Sequence, residues 1–294
     1  MLHRIIYCAF ALFCSLNVCL IANSQAAQQG QFYVIGVGPA GPQTATIQAL
    51  ERIKSVDVII ASEEHCELFK DYLGDKRSMF DPWSGFWDYK GKPYRKLTAT
   101  EKKKLKSSRI QKRDQRVARI REVLEQGKDV GLLDSGNPCL FGPSHWYVEQ
   151  FKPDEVTIIP GMGADAAAMA ALGKSTIPAH DTRFVMQTAP FFLADREAED
   201  WDIMQDLADY SYTKILYMAL RDPENLFANL SRYLPLDMPC AVVFWAGYPE
   251  KQQVVHGNIG NMPEKLSDYN EDYMGLLLIG RFLEGKPYER AQQR

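Results

Sequence analysis

The stretch Phe32-Tyr-Val-Ile-Gly36-Val-Gly38-Pro39-Ala40-Gly41-Pro42 joins a run of strand-forming residues directly to a glycine-rich turn. Glycine adopts positive φ angles at little cost and lets the backbone approach a ligand closely. The N–H groups at the start of the segment after the turn are suited to hold a polar or anionic group. The stretch therefore predicts a nucleotide-like cofactor beside the first strand of an α/β fold.

The residues before this strand have the pattern of a secretory leader. His3 and Arg4 precede an apolar run at residues 5–21, and small residues around Ala26 follow it. This order predicts a signal peptide over residues 1–26 and a periplasmic or secreted protein. The alternative is a protein anchored in the membrane by this segment, because the apolar run has about the minimum length, roughly 17 residues, for a spanning helix.

Composition narrows the function classes. The chain has 294 residues, enough after the leader for one large domain or two smaller ones. The formal net charge of −3 is small for this size, so no nucleic-acid partner is expected. Three cysteines follow the leader (Cys66, Cys139 and Cys240), and their wide spacing fits neither a disulfide framework nor a zinc site. No metal site is expected.

Strand-like and helix-like segments alternate through the first half of the chain. The predicted strands lie at residues 32–35, 56–61, 129–133 and 156–159, and the predicted helices at 42–53, 98–126, 146–151 and 164–172. Residues 80–94 are rich in Trp, Tyr, Gly and Pro and are predicted to form an irregular loop, a candidate for facing the substrate. Such alternation favours a parallel α/β sheet, and we assign residues 27–176 to an N-terminal α/β domain with the glycine-rich loop.

The second half is richer in strand-like segments. They lie at residues 182–187, 213–219, 241–245, 253–258 and 275–280, with helices predicted only at 224–233 and 263–268. This pattern favours a mixed or antiparallel sheet. We assign residues 177–294 to a C-terminal α+β domain.

The opening motif also satisfies the dinucleotide fingerprint Gly36-x-Gly38-x-x-Gly41, and Glu63 stands about where a ribose-binding acid belongs. An NAD-dependent oxidoreductase is therefore one alternative. Such a protein needs no further glycine-proline loops, yet residues 134–142 and 159–164 form two more. A cofactor held by three loops explains the pattern better.

The three loops, in this order, resemble those of the tetrapyrrole methylase superfamily of S-adenosylmethionine-dependent methyltransferases. Its G-x-G-P-G-D-P, G-D-P-x-x-x-G and P-G-[IV]-[ST]-S motifs correspond to residues 36–42, 136–142 and 160–164. Residues 212–219, 245–252 and 275–280 are similar to three further segments of the family. The resemblance runs from Phe32 to about Leu283. It implies two α/β domains with the cofactor cleft between them.

The resemblance also implies which residues bind S-adenosyl-L-methionine. By position they are Pro39, Gly136, Asn137, Leu140, Phe141, Gly163, Ala164, Met218, Ala219 and Ala246. The implied reaction is an SN2 methyl transfer, in which the enzyme mainly holds donor and acceptor in line. No catalytic side chain is assigned on this basis. Relatives are commonly homodimers, and a homodimer is expected.

Departures from the family's motifs are expected to weaken cofactor binding. Gly41 and Asn137 stand where the family usually has Asp, and Gly163 and Ala164 stand where it usually has hydroxyl residues. Each hydrogen bond lost is worth roughly 0.5–1.5 kcal/mol. A non-catalytic extracytoplasmic binding protein on the same fold is therefore a second alternative.

The resemblance implies a porphyrinoid or corrinoid methyl acceptor, with a peptide as the alternative. Tetrapyrrole precursors carry many carboxylates, which arginine binds well. Arg109 and Arg113 on the predicted long helix, and Tyr94 before it, are the candidate substrate residues. Residues 143–145 and 164–165 resemble the peptide-methylating branch, but the helix that is tyrosine-rich in that branch is arginine-rich here.

Overall fold

The computed structural model describes residues 29–93, 96–178, 182–190, 204, 207 and 210–284. The predicted leader and Tyr94 lie outside the described residues, so the structural account begins at the first strand. Within the described ranges, no helix combines the length and the apolar character needed to cross a bilayer.

The described elements are numbered in chain order. The strands are β1 (Phe32–Gly36), β2 (Val58–Ile60), β3 (Asp88–Tyr89), β4 (Lys92–Pro93), β5 (Val130–Asp134), β6 (Val156–Ile159), β7 (Val185–Thr188), β8 (Thr213–Leu216), β9 (Pro239–Phe244), β10 (Gln253–Asn258) and β11 (Gly275–Ile279). The α-helices are α1 (Ile47–Ser55), α2 (Glu63–Leu68), α3 (Lys70–Leu73), α4 (Ala99–Glu125), α5 (His145–Val148), α6 (Ala164–Leu172), α7 (Pro223–Leu230) and α8 (Met262–Leu266). Short 3-10 turns occur at Pro42–Thr44, Ala219–Arg221 and Arg281–Glu284.

The first sheet consists of four parallel strands in the order β2-β5-β1-β6. The central strand β5 is buried along its whole length, as expected for a parallel sheet covered on both faces. Because parallel strands point the same way, the loops after β1, β5 and β6 leave the sheet at one edge. The predicted α/β fold is confirmed.

The second sheet has five strands in the order β10-β9-β11-β8-β7. Its neighbours β7 and β8 run parallel, whereas the other pairs are antiparallel. Of the mixed or antiparallel sheet predicted for the second half of the chain, the structure shows the mixed form.

Helices cover both faces of each sheet. In β1, Phe32 and Val34 pack in the cluster that contains α4, and Ile35 packs on the other face with α1, because side chains alternate along a strand. The helix α6 follows β6 of the first sheet but packs its Ala168 and Met169 on the second sheet. This helix therefore connects the two sheets and carries the third glycine-rich loop to the second one.

The long helix α4 begins where the sequence predicts. The Thr98 side chain accepts a hydrogen bond from the Glu101 backbone N at 3.3 Å, and the Glu101 carboxylate accepts one from the Thr98 backbone N at 2.9 Å. This capping box satisfies two N–H groups that a helix start leaves unpaired. A hydrogen bond from Lys92, followed by those from Thr98, lowers the pKa of Glu101 to about 2.

The helix predicted at residues 42–53 is wrong in its first part. Pro42–Thr44 form a 3-10 turn, and α1 begins only at Ile47. Gly41 has a φ of 96° and Ala45 is extended, so the chain leaves helical geometry twice before α1. Thr46 then caps α1 by accepting a hydrogen bond from the Ala49 backbone N at 3.1 Å.

Other predicted elements exist with shifted ends. The strand predicted at residues 213–219 ends at Leu216, because Met218 has a left-handed φ of 56° and starts the 3-10 turn that contains Ala219. The helix predicted at residues 146–151 is only the single turn α5. Such shifts reflect local turns that propensity alone does not identify.

Candidate active site

A cavity of about 520 Å³ opens where the loops after β1, β5 and β6 meet residues that follow β8 and β9. The first sheet contributes residues such as Pro39 and Asn137, and the second contributes residues such as Met218 and Ala246. The lining is mainly apolar with a few polar groups, which is typical of small-molecule sites.

The three glycine-rich loops touch through their main chains. Gly38 and Gly136 exchange two hydrogen bonds, with N···O distances of 2.9 and 3.4 Å. A Cβ on Gly36 would lie 2.5 Å from the Gly161 backbone N, and one on Gly161 would lie 2.1 Å from the Gly136 carbonyl oxygen. We call these four residues the glycine junction. Only glycine fits such contacts, so the junction sets how closely the loops approach one another.

The structure brings nearly all the predicted cofactor residues together. Those that line the cavity are Pro39, Gly136, Asn137, Leu140, Phe141, Gly163, Ala164, Met218 and Ala246. The exception is Ala219, which is 2% exposed in its 3-10 turn and does not line the cavity. The left-handed Met218 turns the following residue toward the core.

Asn137, which stands where the family usually has Asp, holds the turn of the second loop. Its side-chain Oδ1 accepts a hydrogen bond from the Cys139 backbone N at 3.0 Å. Its carbonyl oxygen accepts another from the Leu140 backbone N at 3.0 Å. An amide forms this kind of turn as well as a carboxylate does. The loop geometry therefore survives the change from Asp to Asn.

Three residues on the cavity wall have left-handed backbones although they are not glycine. Their φ angles are 57° for Phe141, 56° for Met218 and 51° for Trp245. Such conformations are costly for residues with a Cβ and tend to cluster at functional sites. The strain therefore supports a ligand-binding role for this cavity.

The start of α6 is connected to the second sheet by polar contacts beside the cavity. Gly163 is the N-cap of α6 and offers no side-chain cap. The Asp165 carboxylate accepts from Gln187 at 3.5 Å, and Gln187 Oε1 accepts from the Tyr217 hydroxyl at 3.0 Å. Burial first, and then the negative Asp165, raise the pKa of Tyr217. The Tyr217 hydroxyl therefore stays protonated and acts as a donor at neutral pH.

Sequence reasoning missed a polar group on α2. His65 lines the cavity, is 6% exposed, and places its Nε2 2.9 Å from Ser135 Oγ. Burial lowers the pKa of His65, with Glu64 and Asp81 acting in the opposite direction. Glu64 also lines the cavity, and its carboxylate accepts a 3.5 Å hydrogen bond from the Tyr248 hydroxyl. The position of these residues in the sequence could have indicated them. They stand at the start of the helix that follows β2, which is the edge of a parallel sheet where ligands bind.

A buried carboxyl group lies at the end of β5, beside the second loop. Asp134 is 1% exposed, and its Oδ2 has no hydrogen-bond partner among the described residues. Burial raises the pKa of Asp134 to about 6, against the lowering effects of Ser144, Ser135 and His145. The group is therefore easier to protonate in the folded chain than in the unfolded one.

A second cavity of about 350 Å³ adjoins the first, and Trp87 and Pro143 line both. Its other walls are largely aromatic, and Arg109 contributes a guanidinium. Arg113 lines neither cavity and pairs with Asp114 at 2.8 Å. Of the candidate substrate residues within the described ranges, only Arg109 therefore faces a cavity.

Other arginines of α4 hold the aromatic loop in place. Arg116 donates hydrogen bonds to the carbonyl oxygens of Pro82 at 2.8 Å and Ser84 at 3.0 Å. Arg119 donates to the carbonyl oxygen of Met79 at 3.2 Å. These bonds fasten the loop at residues 79–84, which supports the wall of the second cavity, to the long helix.

The residue proposed to read a ribose does not face the site. Glu63 is exposed and does not line the first cavity, although Glu64 and His65 do. The structure therefore gives no support to an NAD-dependent oxidoreductase. Within the described ranges, no cluster of three or more His, Cys, Asp or Glu residues is arranged to hold a metal ion.

Comparison with known families gives a match over most of the chain. The profile described as Tetrapyrrole (Corrin/Porphyrin) Methylases matches residues 31–263. The uroporphyrinogen-III C-methyltransferase of Methanocaldococcus jannaschii is 25% identical over 257 residues, 85% of this chain and 96% of that protein. The siroheme synthase of Pseudoalteromonas translucida is 22% identical over 267 residues, 88% of this chain. The chain spans only 50% of that synthase.

Solved structures share the fold. A cobalt precorrin-4 methyltransferase superposes with a TM-score of 0.64 at 17% identity, covering 87% of this chain and 96% of that one. The uroporphyrin-III C-methyltransferase of Thermus thermophilus, solved with S-adenosylhomocysteine, superposes with a TM-score of 0.55 at 15% identity, covering 87% and 99%. At these identities the likeness concerns the fold.

Proposed function

The chain belongs to the tetrapyrrole methylase family, and we propose that it is an S-adenosylmethionine-dependent methyltransferase acting on a carbon of a tetrapyrrole precursor. The first cavity is the cofactor cleft between two α/β domains. The second cavity receives part of the acceptor. Relatives named uroporphyrinogen-III C-methyltransferase and precorrin-4 C(11)-methyltransferase support this class of reaction.

One observation carries the proposal. Three loops joined by the glycine junction close a single cavity together with residues after β8 and β9. The predicted cofactor residues there are mainly small or apolar, which suits close wrapping of a ligand by backbone groups. The cavity volume of about 520 Å³ lies within the roughly 300–1,000 Å³ range of small-molecule sites.

The residues present fit S-adenosylmethionine. Gly136, Asn137 and the start of α6 offer backbone polar groups for the methionyl part, and Met218 and Ala246 offer an apolar wall for the adenine. When bound, the cofactor supplies a methyl group activated by a positively charged sulfur. The chain's own task is to hold the acceptor carbon in line with that group and to exclude water.

The second cavity favours a flat, acidic acceptor. Trp87 is 52% exposed at the junction of the two cavities, where its ring is placed to stack on a macrocycle. Arg109 lines the second cavity, and a guanidinium binds carboxylates in a fixed geometry. We assign Arg109 to an acidic side chain of the tetrapyrrole. Arg113 is less suited because it lines neither cavity.

Cofactor binding is the first test. Calorimetry of the purified protein with S-adenosylhomocysteine is expected to give saturable binding, whereas NAD gives none. Ala164→Leu should abolish binding because Ala164 lines the cavity, and Ala166→Leu should not, because Ala166 is exposed on the same helix and does not line it. Equal binding by both variants would place the cofactor elsewhere.

Methyl transfer is the second test. Methyl-labelled S-adenosylmethionine is incubated with the protein and either uroporphyrinogen III, a precorrin or a model peptide. Labelling of a tetrapyrrole supports the proposal. Labelling of the peptide alone would assign the protein to the peptide-methylating branch. Cofactor binding without labelling of any acceptor would favour the non-catalytic alternative.

Location and assembly are part of the proposal. The pattern of residues 1–26 supports export to the periplasm or beyond, and the family resemblance supports a homodimer. A reporter fused after Gln28 distinguishes export from a cytoplasmic location. Light scattering of the purified protein measures the mass of the assembly, and a monomer mass would contradict the dimer.

A further inference from the structure

His65 has an unusual environment on the wall of the first cavity. It lies in the first turn of α2, where its backbone N donates to the Ser62 side chain at 3.2 Å. The residue is 6% exposed and lines the cavity to which residues after β8 and β9 also contribute. The ring is thus held rigidly at the edge where the three loops converge.

The hydrogen bonds of this ring are incomplete. Nε2 lies 2.9 Å from Ser135 Oγ, whereas Nδ1 is buried and has no partner among the described residues. A buried polar atom without a partner is costly, and native structures rarely keep one without a reason. Ser135 also lines the cavity, so a bound molecule reaches the imidazole through the Ser135 hydroxyl, which is hydrogen-bonded to Nε2.

Methylation of a pyrrole-type carbon requires a proton acceptor. The acceptor carbon forms a bond to the methyl group while the sulfur–methyl bond breaks, and sulfur leaves with the electron pair as a neutral thioether. The methylated ring is then a cation and must release a proton to regain neutrality. A side chain that takes this proton is expected near the reacting carbon.

Few described residues of the cavity wall are able to take it. Gly41 has no side chain, and the amide of Asn137 is not a base at neutral pH. Burial raises the pKa of Tyr248 to about 12, so its hydroxyl is already protonated. The remaining bases on this wall are Glu64 and His65, and Glu64 already accepts the hydrogen bond from Tyr248. The second cavity adds His145 and Glu149, neither of which lines the first cavity.

We propose that His65, oriented by Ser135, accepts the proton released by the methylated ring. This inference rests on the proposed methyl transfer and adds a named proton acceptor to it. The groups that face the imidazole are consistent with the role. Ser135 holds one nitrogen, Phe69 packs edge-on at 6.4 Å between ring centres, and Glu64 and Asp81 favour the cation that forms.

The state of the imidazole is measured without turnover. Nitrogen-15 NMR of the histidine rings, assigned with His65→Gln, is expected to show a neutral His65 at pH 7. Addition of uroporphyrin together with S-adenosylhomocysteine should shift the His65 signals. A charged ring at pH 7, or signals that do not respond to the pair of ligands, would overturn the proposal.

Kinetics test the role directly. His65→Gln should bind S-adenosylhomocysteine within threefold of wild type, while kcat for the tetrapyrrole falls roughly 10²–10⁴-fold, the usual contribution of acid–base catalysis. The wild-type kcat should rise with pH through an ionisation that is absent from the variant. The control is Glu67→Gln, on the same helix as His65. It removes the exposed ion pair with Lys70 and should leave kcat unchanged.

The outcomes distinguish a failure of the role of His65 from a failure of the proposed methyl transfer. If wild type binds the cofactor and methylates a tetrapyrrole, and His65→Gln does so at the same rate, His65 is not the acceptor. If Glu64→Gln loses activity and His65→Gln keeps it, the proton goes to Glu64. If wild type binds no cofactor at all, the proposed function fails and the assignment of His65 fails with it. Ser135→Ala, expected to lower kcat less than His65→Gln, gives a second variant should the latter fold poorly.

Discussion

Replacement of Gly161 by alanine tests whether the glycine junction holds the cavity together. A Cβ there would lie 2.1 Å from the Gly136 carbonyl oxygen and 2.6 Å from the Gly36 carbonyl carbon, against 3.4 Å or more in ordinary contacts. Both neighbours are backbone atoms, so neither can rotate away, and the loops must separate. Overpacking of this kind costs about 1–3 kcal/mol, and we expect the upper part of that range.

The assay combines stability and ligand binding. For a protein of this size, a loss of 1 kcal/mol lowers Tm by about 2–4 °C, so Gly161→Ala should lower Tm by roughly 4–12 °C. The separated loops should also weaken binding of S-adenosylhomocysteine at least about tenfold, equivalent to roughly 1.4 kcal/mol. Thermal unfolding followed by circular dichroism and calorimetric titration measure the two effects.

The matched control is Gly163→Ala in the same loop. A Cβ at this residue meets the Asp165 carboxylate, a side chain that rotates away, and otherwise only Asn137 Cβ at 3.9 Å. The remaining cost is that alanine caps a helix less well than glycine, about 1 kcal/mol or less. If Gly161→Ala unfolds at the wild-type temperature, or if both variants lose the same stability, contact between the loops is not what shapes the cavity.

Thr46→Ala removes the cap of α1 and should cost about 1 kcal/mol in urea unfolding; an unchanged midpoint would argue against the cap. Burial raises the pKa of Asp134 from 3.8 to about 6, so the folded chain binds the proton more tightly than the unfolded one. Stability should therefore fall as the pH rises from about 4 to about 6 at this group, and Asp134→Asn should flatten that slope in unfolding measured across pH. Arg109→Met should raise KM for a carboxylated tetrapyrrole about tenfold or more, with binding of S-adenosylhomocysteine unchanged in calorimetry, and an equal KM would remove Arg109 from the acceptor site.

The sequence was most informative where the backbone itself carries the signal. A strand followed directly by glycine and proline is a local sequence signal. The sequence therefore predicted the three loops after β1, β5 and β6, their order along the chain and the strands that precede them. The long helix predicted from residue 98 likewise begins at Ala99, where a capping box between Thr98 and Glu101 starts it. Both features are local, and local sequence is sufficient to specify them.

Features that depend on separated segments were not predictable in the same way. Glu64 and His65 lie on α2 and Tyr248 follows β9, so only the folded chain brings them to one wall. Met218 lines the cavity and Ala219 does not, because the left-handed turn at Met218, which has no reliable sequence signature outside glycine, directs Ala219 toward the core. The roles of the arginines on α4 were also not predictable. The sequence does not distinguish Arg116, which donates to main-chain carbonyl oxygens of the loop, from Arg109, which lines the second cavity.

The bonds from Arg116 and Arg119 to the carbonyl oxygens of residues 79–84 have a mechanical consequence. The helix α4 is a rod of 27 residues, and its far end carries the exposed lysines 102–104. Because these bonds tie residues 79–84 to α4, a change in the tilt of α4 moves the aromatic wall that these residues support. One continuous helix therefore joins the lysine end to the wall of the second cavity, about three helical turns away.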